Sequence, residues 1–207
     1  MDASTASTGP SDAIEKTVTL KDGMSVTIRR MRPDDVERSY AFFCALPPED
    51  RVYLRTDVTR RELVERRTTE LDGQRVERVV ALHKDEIVAD GTLELQGHGW
   101  GDNVAEVRLI VARPWQRLGL GTVVARELFH VASRRRVDRI VVRLMRPQVG
   151  AHRIFRRLGF HEEFLIPEHV RDQDGTWQDL IIMRCQLEEL WRDIEHELIL
   201  SDWQRTR

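Results

Sequence analysis

The sequence predicts a mixed α/β fold, α+β in its arrangement, with one central sheet and helices on its faces. Three observations carry this expectation. Short runs alternate apolar and polar residues, longer runs repeat apolar residues at helical spacing, and the two kinds follow one another as β, α, α, β, β, β, α, β, α, β, β. Hairpins come first and strand–helix crossovers later, which calls for a mixed sheet. The 207 residues suffice for one domain with a sizeable core.

Residues 1–16 hold Ser, Thr, Gly and Pro with almost nothing to bury, and are expected to form a disordered tail. From Met24 the pattern alternates: Met24, Val26 and Ile28 face one way, Ser25, Thr27 and Arg29 the other, as in a half-buried strand. Pro33, Asp34 and Asp35 open a helix, since acidic residues suit a first turn. Its apolar stripe is Val36, Tyr40, Phe43 and Leu46, and Pro47-Pro48 stops it. The charged stretch from Glu49 to Leu71 predicts a short and a longer helix, broken near Asp57–Thr59. Val79–Leu82 and Glu86–Leu95 form a hairpin through His83-Lys84-Asp85.

A loop with Gly97, Gly99 and Gly101 leads to a strand over Ala105–Ala112. Then follow a helix over 119–134, a strand over 138–145, a helix over 149–158 and strands over about 161–169 and 177–186. The principal domain is thus expected over 17–186. Residues 187–207 read as an amphipathic helix, with Leu187, Leu190, Trp191, Ile194 and Leu198 on one stripe. Such a stripe needs cover, from the chain's own domain or from a second copy in a homodimer.

Composition narrows the function. Net charge is -2, so nothing in the balance points to nucleic acid. No run approaches the roughly 18 apolar residues of a membrane span. The N-terminus is small, polar and acidic, unlike a signal or transit peptide, and there are two cysteines, Cys44 and Cys185, with no CxxC. A reducing, cytoplasmic setting is expected. The seven histidines form no HxxxH or HxH pair, so no metal site is expected.

The most informative segment runs from Val111 to Thr122, VARPWQRLGLGT. A strand ends, Pro114 breaks it, and a helix with the stripe Leu120, Val124, Leu128 and Val131 begins at Gly119–Gly121. Backbone N–H groups at such a start lack intrahelical partners, and the helix dipole adds partial positive charge. Together they suit a pyrophosphate, with room made by Gly119 and Gly121, charge from Arg117 and a hydroxyl from Thr122. A Walker A loop would need Gly-Lys-Ser/Thr, and a dinucleotide fingerprint a small residue where Val124 stands. Taken alone, two glycines before a helix fit a plain tight turn equally well.

Gln116-Arg117-Leu118-Gly119-Leu120-Gly121 resembles the Gln/Arg-x-x-Gly-x-Gly/Ala acetyl-CoA motif of the GNAT superfamily of N-acetyltransferases. A second stretch, Gln148 to Phe160, resembles that superfamily's Asn-x-x-Ala-x-x-x-Tyr-x-x-x-Gly-Phe helix, with Ala151, Phe155, Gly159 and Phe160 in place. The likeness covers roughly residues 24–186. Shorter segments, Ala105-Glu106 with Trp115-Gln116 and Leu46 to Arg55, resemble bacterial protein lysine acetyltransferases.

The resemblance implies a mostly antiparallel mixed sheet, splayed at its fourth strand, and an enzyme moving acetyl from acetyl-CoA to a primary amine. It assigns the backbone of Leu109, Ile110 and Val111 to the pantetheine arm and thioester. The turn of Gln116, Arg117, Leu118, Gly119, Leu120, Gly121 and Thr122 would take the pyrophosphate, with Gln148 and Phe155 beside the cofactor. The amine must shed a proton, and Glu106 is the candidate general base, directly or through one water. Alternation places Glu106 on the face of Arg108 and Ile110, so the same carboxylate also fits a surface glutamate paired with Arg108. Gln148 stands where the family has Asn and keeps an amide. Phe155 stands where it often has Tyr, which removes an acid for the departing thiolate; its ring fits core packing with an edge towards CoA. A protein lysine is the preferred acceptor over a small-molecule amine. The alternative, prompted by Phe155, is a non-catalytic acyl-CoA-binding sensor that docks a partner.

Overall fold

A computed structural model describes residues 15–71, 75–97, 99, 101 and 103–188. Eight strands form one sheet in the order β1-β2-β3-β4-β5-β6-β8-β7. The strands are β1 (Glu15–Thr19), β2 (Ser25–Arg30), β3 (Val76–His83), β4 (Glu86–Leu95), β5 (Val104–Val111), β6 (Arg139–Met145), β7 (His161–Arg171) and β8 (Trp177–Gln186). Every neighbouring pair is antiparallel except β5–β6. The helices are α1 (Val36–Ala45), α2 (Pro48–Arg51), α3 (Arg61–Thr69), α4 (Leu120–Arg134) and α5 (Val149–Arg157). The mixed sheet with helices on its faces is the predicted one.

The strand pleat sends alternate side chains into two cores. On one face Val79, Ala89, Leu93, Ala105 and Val107 meet Val124, Leu128 and Phe129 of α4 and Phe155 of α5. On the other, Val80, Leu82 and Ile87 meet Phe42 and Phe43 of α1 and Val64 of α3. Fully burying side chains of this size contributes about 1.5–3 kcal/mol each. Gly91 of β4 lets α4 come close, because a methyl there would lie 2.9 Å from Leu128 Cδ1 and Val124 Cγ1. Gly159, with φ 82°, ends α5 as a left-handed cap, and Phe160 N–H closes on Phe155 O at 3.0 Å.

The structure departs from expectation at the first strand. Glu15 and Lys16, assigned above to the tail, belong to β1, which pairs with β2 from Glu15↔Arg29 to Thr19↔Ser25. Only Val18 of β1 packs on the core, so no apolar alternation announces the strand. Backbone pairing and two ion pairs, Lys16–Glu127 and Glu15–Arg32, hold it instead. Met24, expected to point inward, is exposed at the β1–β2 turn. The rest of the tail and the C-terminal helix beyond residue 188 lie outside the described residues, although Leu187, the first of its stripe, is buried.

The start of α1 is fixed by a buried ion pair. Arg29 of β2 donates twice to Asp35, at 2.6 and 2.7 Å, and Arg32 N–H adds a third bond at 2.8 Å. Burial alone would push the Asp35 carboxyl up, but the bonds from Arg29 and Arg32 and the charges of Arg29 and Arg38 outweigh it and hold the group below its ordinary value. A depressed carboxylate contributes stability that is present above its unfolded pKa and lost as pH falls through the folded one. Asp35→Asn is therefore expected to destabilise the protein by about 3 kcal/mol or more at neutral pH, since it strands a buried guanidinium. The difference from wild type should shrink below about pH 4. Urea unfolding across pH 3–7 measures both.

Candidate active site

The site lies where β5 and β6 part. They pair only at Val104↔Arg139, Ala105↔Ile140 and Glu106↔Val141. Beyond that point β6 stays with β8 to Met145↔Leu180, while β5 stays with β4 to Ala89↔Val111. The expected splay is present, on the fifth strand of the chain because β1 precedes the one expected first. Leu109, Ile110 and Val111 thus keep β4 on one edge and turn the other towards the gap. Backbone N–H and C=O groups on such an edge suit an amide-bearing arm that binds as an added strand.

The turn after β5 reaches α4 through two left-handed residues, Arg117 with φ 63° and Gly119 with φ 90°. Val123 N–H is the first in the helix to close on the turn, at 3.1 Å from Gly119 O. No backbone carbonyl among the described residues takes the N–H groups of residues 117–122. That cluster, at the positive end of a 15-residue helix, fits a pyrophosphate. Leu118 and Leu120 give it backbone only, because their side chains pack into the core. Arg117 is exposed and Thr122 half-buried.

Three expected cofactor residues have other partners. Gln116 turns its amide inward and donates to Val111 O at 2.9 Å, tying the turn to the strand end. Gln148 accepts from Met145 N–H at 2.8 Å at the start of α5, which leaves its NH2 end for other use. Phe155 is 2% exposed and packs edge-on against Phe160 at 5.2 Å, the core packing expected of its ring. Sequence could not separate these roles, because the helical face that meets the sheet also borders the cofactor region.

Gly121 also differs from expectation. A methyl there would point back to Ile154 Cδ1 and Val111 Cγ2 at 3.6 Å and Leu109 Cδ2 at 3.7 Å, ordinary contacts beneath the helix. At this position Ala fits, whereas Gly119 is required by its φ.

Glu106 is 3% exposed on the opposite face, towards α3. Its partners are neither solvent nor Arg108. Arg55, in the loop between α2 and α3, donates to Oε1, and Arg143 of β6 donates to Oε2. Arg108 pairs with Glu94 across the strands. Deeper along the same face Arg67 of α3 donates to both oxygens of Asp90, and Arg78 binds Thr92 Oγ1 at 3.2 Å. Burial and the neighbouring Arg67 pull the Arg78 guanidinium down to about 10, so it stays charged at neutral pH. The charged run 60–67 is therefore not uniformly solvated; Arg67 faces inward, a pairing visible only once α3 lies on β4.

The loop that carries Arg55 also walls a cleft of about 540 Å³, lined by Val52, Tyr53, Thr56 and Asp57 with Asp172, Gln173 and Asp174 of the β7–β8 turn. Gln173 clasps the loop, its N–H on Val52 O at 2.9 Å and its Nε2 on Leu54 O at 2.5 Å. Among the described residues no group of three His, Cys, Asp or Glu is placed to hold a metal. Cys44 is exposed on α1 and Cys185 buried in β8, and neither is in a disulfide.

Gly119→Ala is expected to cost about 1–2 kcal/mol through its left-handed φ and to weaken acetyl-CoA binding. Gly121→Ala should leave both nearly unchanged. Thermal unfolding and isothermal titration of the two variants check the asymmetry.

The sequence model of the Acetyltransferase (GNAT) family matches residues 41–160, from α1 through the turn to the end of α5. No curated protein matches the chain. Among solved structures, it is similar to the GNAT domain of S. lividans PAT, with a TM-score of 0.71 at 19% identity over 83% of this chain and 96% of that one. Mycobacterium smegmatis RimJ, solved in complex with CoA-disulfide, gives 0.71 at 17% identity over 91% and 94%. Ribosomal-protein-alanine N-acetyltransferase from Brucella melitensis gives 0.63 at 21% identity over 77% and 98%. With the family matched over more than half its length, on this sheet and this turn, the chain belongs to the GNAT family of acetyltransferases, enzymes that move acetyl from acetyl-CoA to an amine.

Proposed function

We propose that this chain acetylates lysine side chains of proteins, with Glu106 as general base. The observation that carries the reading is the shared loop 52–59: it walls the cleft and sends Arg55 onto Glu106. One loop thus both borders the cleft and holds the carboxylate through Arg55. Carboxylates on the cleft's lining, Glu49, Asp57, Asp172 and Asp174, outnumber its one cation, Arg51, and favour a cationic acceptor chain. The Brucella enzyme's name gives its acceptor as a ribosomal-protein alanine, so a protein amine is used elsewhere on this fold.

Bound acetyl-CoA supplies the thioester carbonyl that the amine attacks, with release of CoA thiol. The chain's residues prepare that attack. The N–H groups of 117–122 hold the pyrophosphate, and the open edge of 109–111 aligns the arm. An ammonium has no lone pair, so Glu106 takes its proton, directly or through one water. Both oxygens of Glu106 carry guanidinium groups, and the acceptor ammonium takes the place of Arg55. Arg55 is suited to yield: it sits on a loop, and burial together with the positive charges of Arg108 and Arg143 pulls its guanidinium below the ordinary value against the hold of Glu106. Arg143, on a strand, stays and orients the carboxylate.

CoA thiol release against lysine peptides, peptides with a free N-terminus only, and small amines tests the acceptor; turnover confined to small amines overturns the lysine reading. Glu106→Gln is expected to lower kcat about 100-fold or more while the acetyl-CoA Kd stays within about twofold. An unchanged kcat removes Glu106 from the mechanism.

A further inference from the structure

The turn between β1 and β2 is rigid and lies against the phosphate turn. Leu20 N–H bonds Met24 O at 2.8 Å, Gly23 N–H bonds Leu20 O at 3.0 Å, and Met24 N–H bonds Asp22 Oδ1 at 3.0 Å. From this hairpin Lys21 N–H crosses to Leu118 O at 3.3 Å. Lys16, earlier on β1, pairs with Glu127 of α4. The hairpin is therefore attached twice, to the phosphate turn and to the helix that follows it. The side chain of Lys21 lies along the turn: a methyl built on Gly119 would be 3.8 Å from Lys21 Cε. Lys21 is exposed, and no carboxylate among the described residues forms an ion pair with it. The adjacent Asp22 spends Oδ1 on the turn itself.

We propose that Lys21 is a cofactor-binding residue, its ammonium brought by the β1–β2 hairpin to the pyrophosphate of acetyl-CoA held at residues 116–122. The inference rests on the reading of that turn as the pyrophosphate site, and goes beyond it. The hairpin lies outside the matched residues 41–160 and outside both motifs. A helix N-terminus supplies only partial charge and fixed N–H donors. An ammonium on a flexible stem adds a full charge and three donors, and can follow the phosphates as they settle. The backbone bond from Lys21 to Leu118 places that stem beside Gly119, where no side chain of the turn intervenes.

Isothermal titration of the full chain with acetyl-CoA, at several salt concentrations, tests this in wild type, Lys21→Ala and Lys21→Arg. Lys21→Ala should raise Kd about threefold to tenfold at low salt, with a shallower dependence of Kd on salt, because one fewer phosphate pairing is screened. Lys21→Arg should recover most of the affinity. Equal Kd in wild type and Lys21→Ala overturns the proposal. So does a weaker Kd with unchanged salt dependence, since the hairpin then acts by packing alone. Wild type that does not bind acetyl-CoA overturns the reading of the turn itself, a different failure from the first two.

Discussion

Strands β5 and β6 run parallel for three residue pairs and then separate, each held by its other neighbour. A strand edge inside a sheet ordinarily spends its N–H and C=O groups on the next strand, and leaving them unpaired is costly unless something else binds there. Here the second half of β5 keeps that capacity at Leu109 and at the N–H of Val111, while Ile110 is paired towards β4 and Val111 O takes the Gln116 amide. The wedge is maintained by packing on the α4 side: Leu109 and Val111 reach under Gly121, where Ile154 of α5 meets them. The gap, the turn and the two helices behind it are thus one packing unit, and the site follows from its geometry.

The opposite face of the sheet sets charge beside its apolar core. Glu94 and Glu106 stand across from each other on β4 and β5, an unfavourable neighbourhood that arginines relieve, Arg108 on one and Arg55 with Arg143 on the other. Asp90 draws Arg67 out of α3, and the guanidinium of that arginine lies over the Phe43 ring, 5.0 Å from its centroid. Asp35 draws Arg29 to the foot of α1. Buried ion pairs of this kind add little net stability but penalise any arrangement that separates the partners. They fix how α1, α3 and the loop of Arg55 sit on the sheet. The apolar core under α4 and the mixed apolar and charged face under α1 and α3 meet on β5, which contributes alternate residues to each.

Much of the fold is legible in the sequence because local patterns and tertiary packing agree there. The stripe of Leu120, Val124, Leu128 and Val131 is the buried face of α4, and Gly159 takes the left-handed φ a helix end asks for. The turn before α4 is equally legible, since a glycine spacing announces its left-handed backbone and the helix start. β1 is not legible. EKTVT carries one apolar residue that reaches the core, and the strand exists because β2 offers it an edge.

The sequence by itself determined the order of elements from β2 onward, the splayed strand's two faces and the position of the turn, because periods of two and 3.6 residues and glycine's backbone freedom are local properties. Tertiary structure decided the partners: Glu106 with Arg55 and Arg143 in place of Arg108, Phe155 with Phe160, Gln116 with the strand end, and Lys21 beside Gly119. Each of these joins residues whose meeting depends on where a helix or hairpin comes to rest on the sheet. Periodicity says which way a side chain points from its own element, and only the packed fold says what waits there.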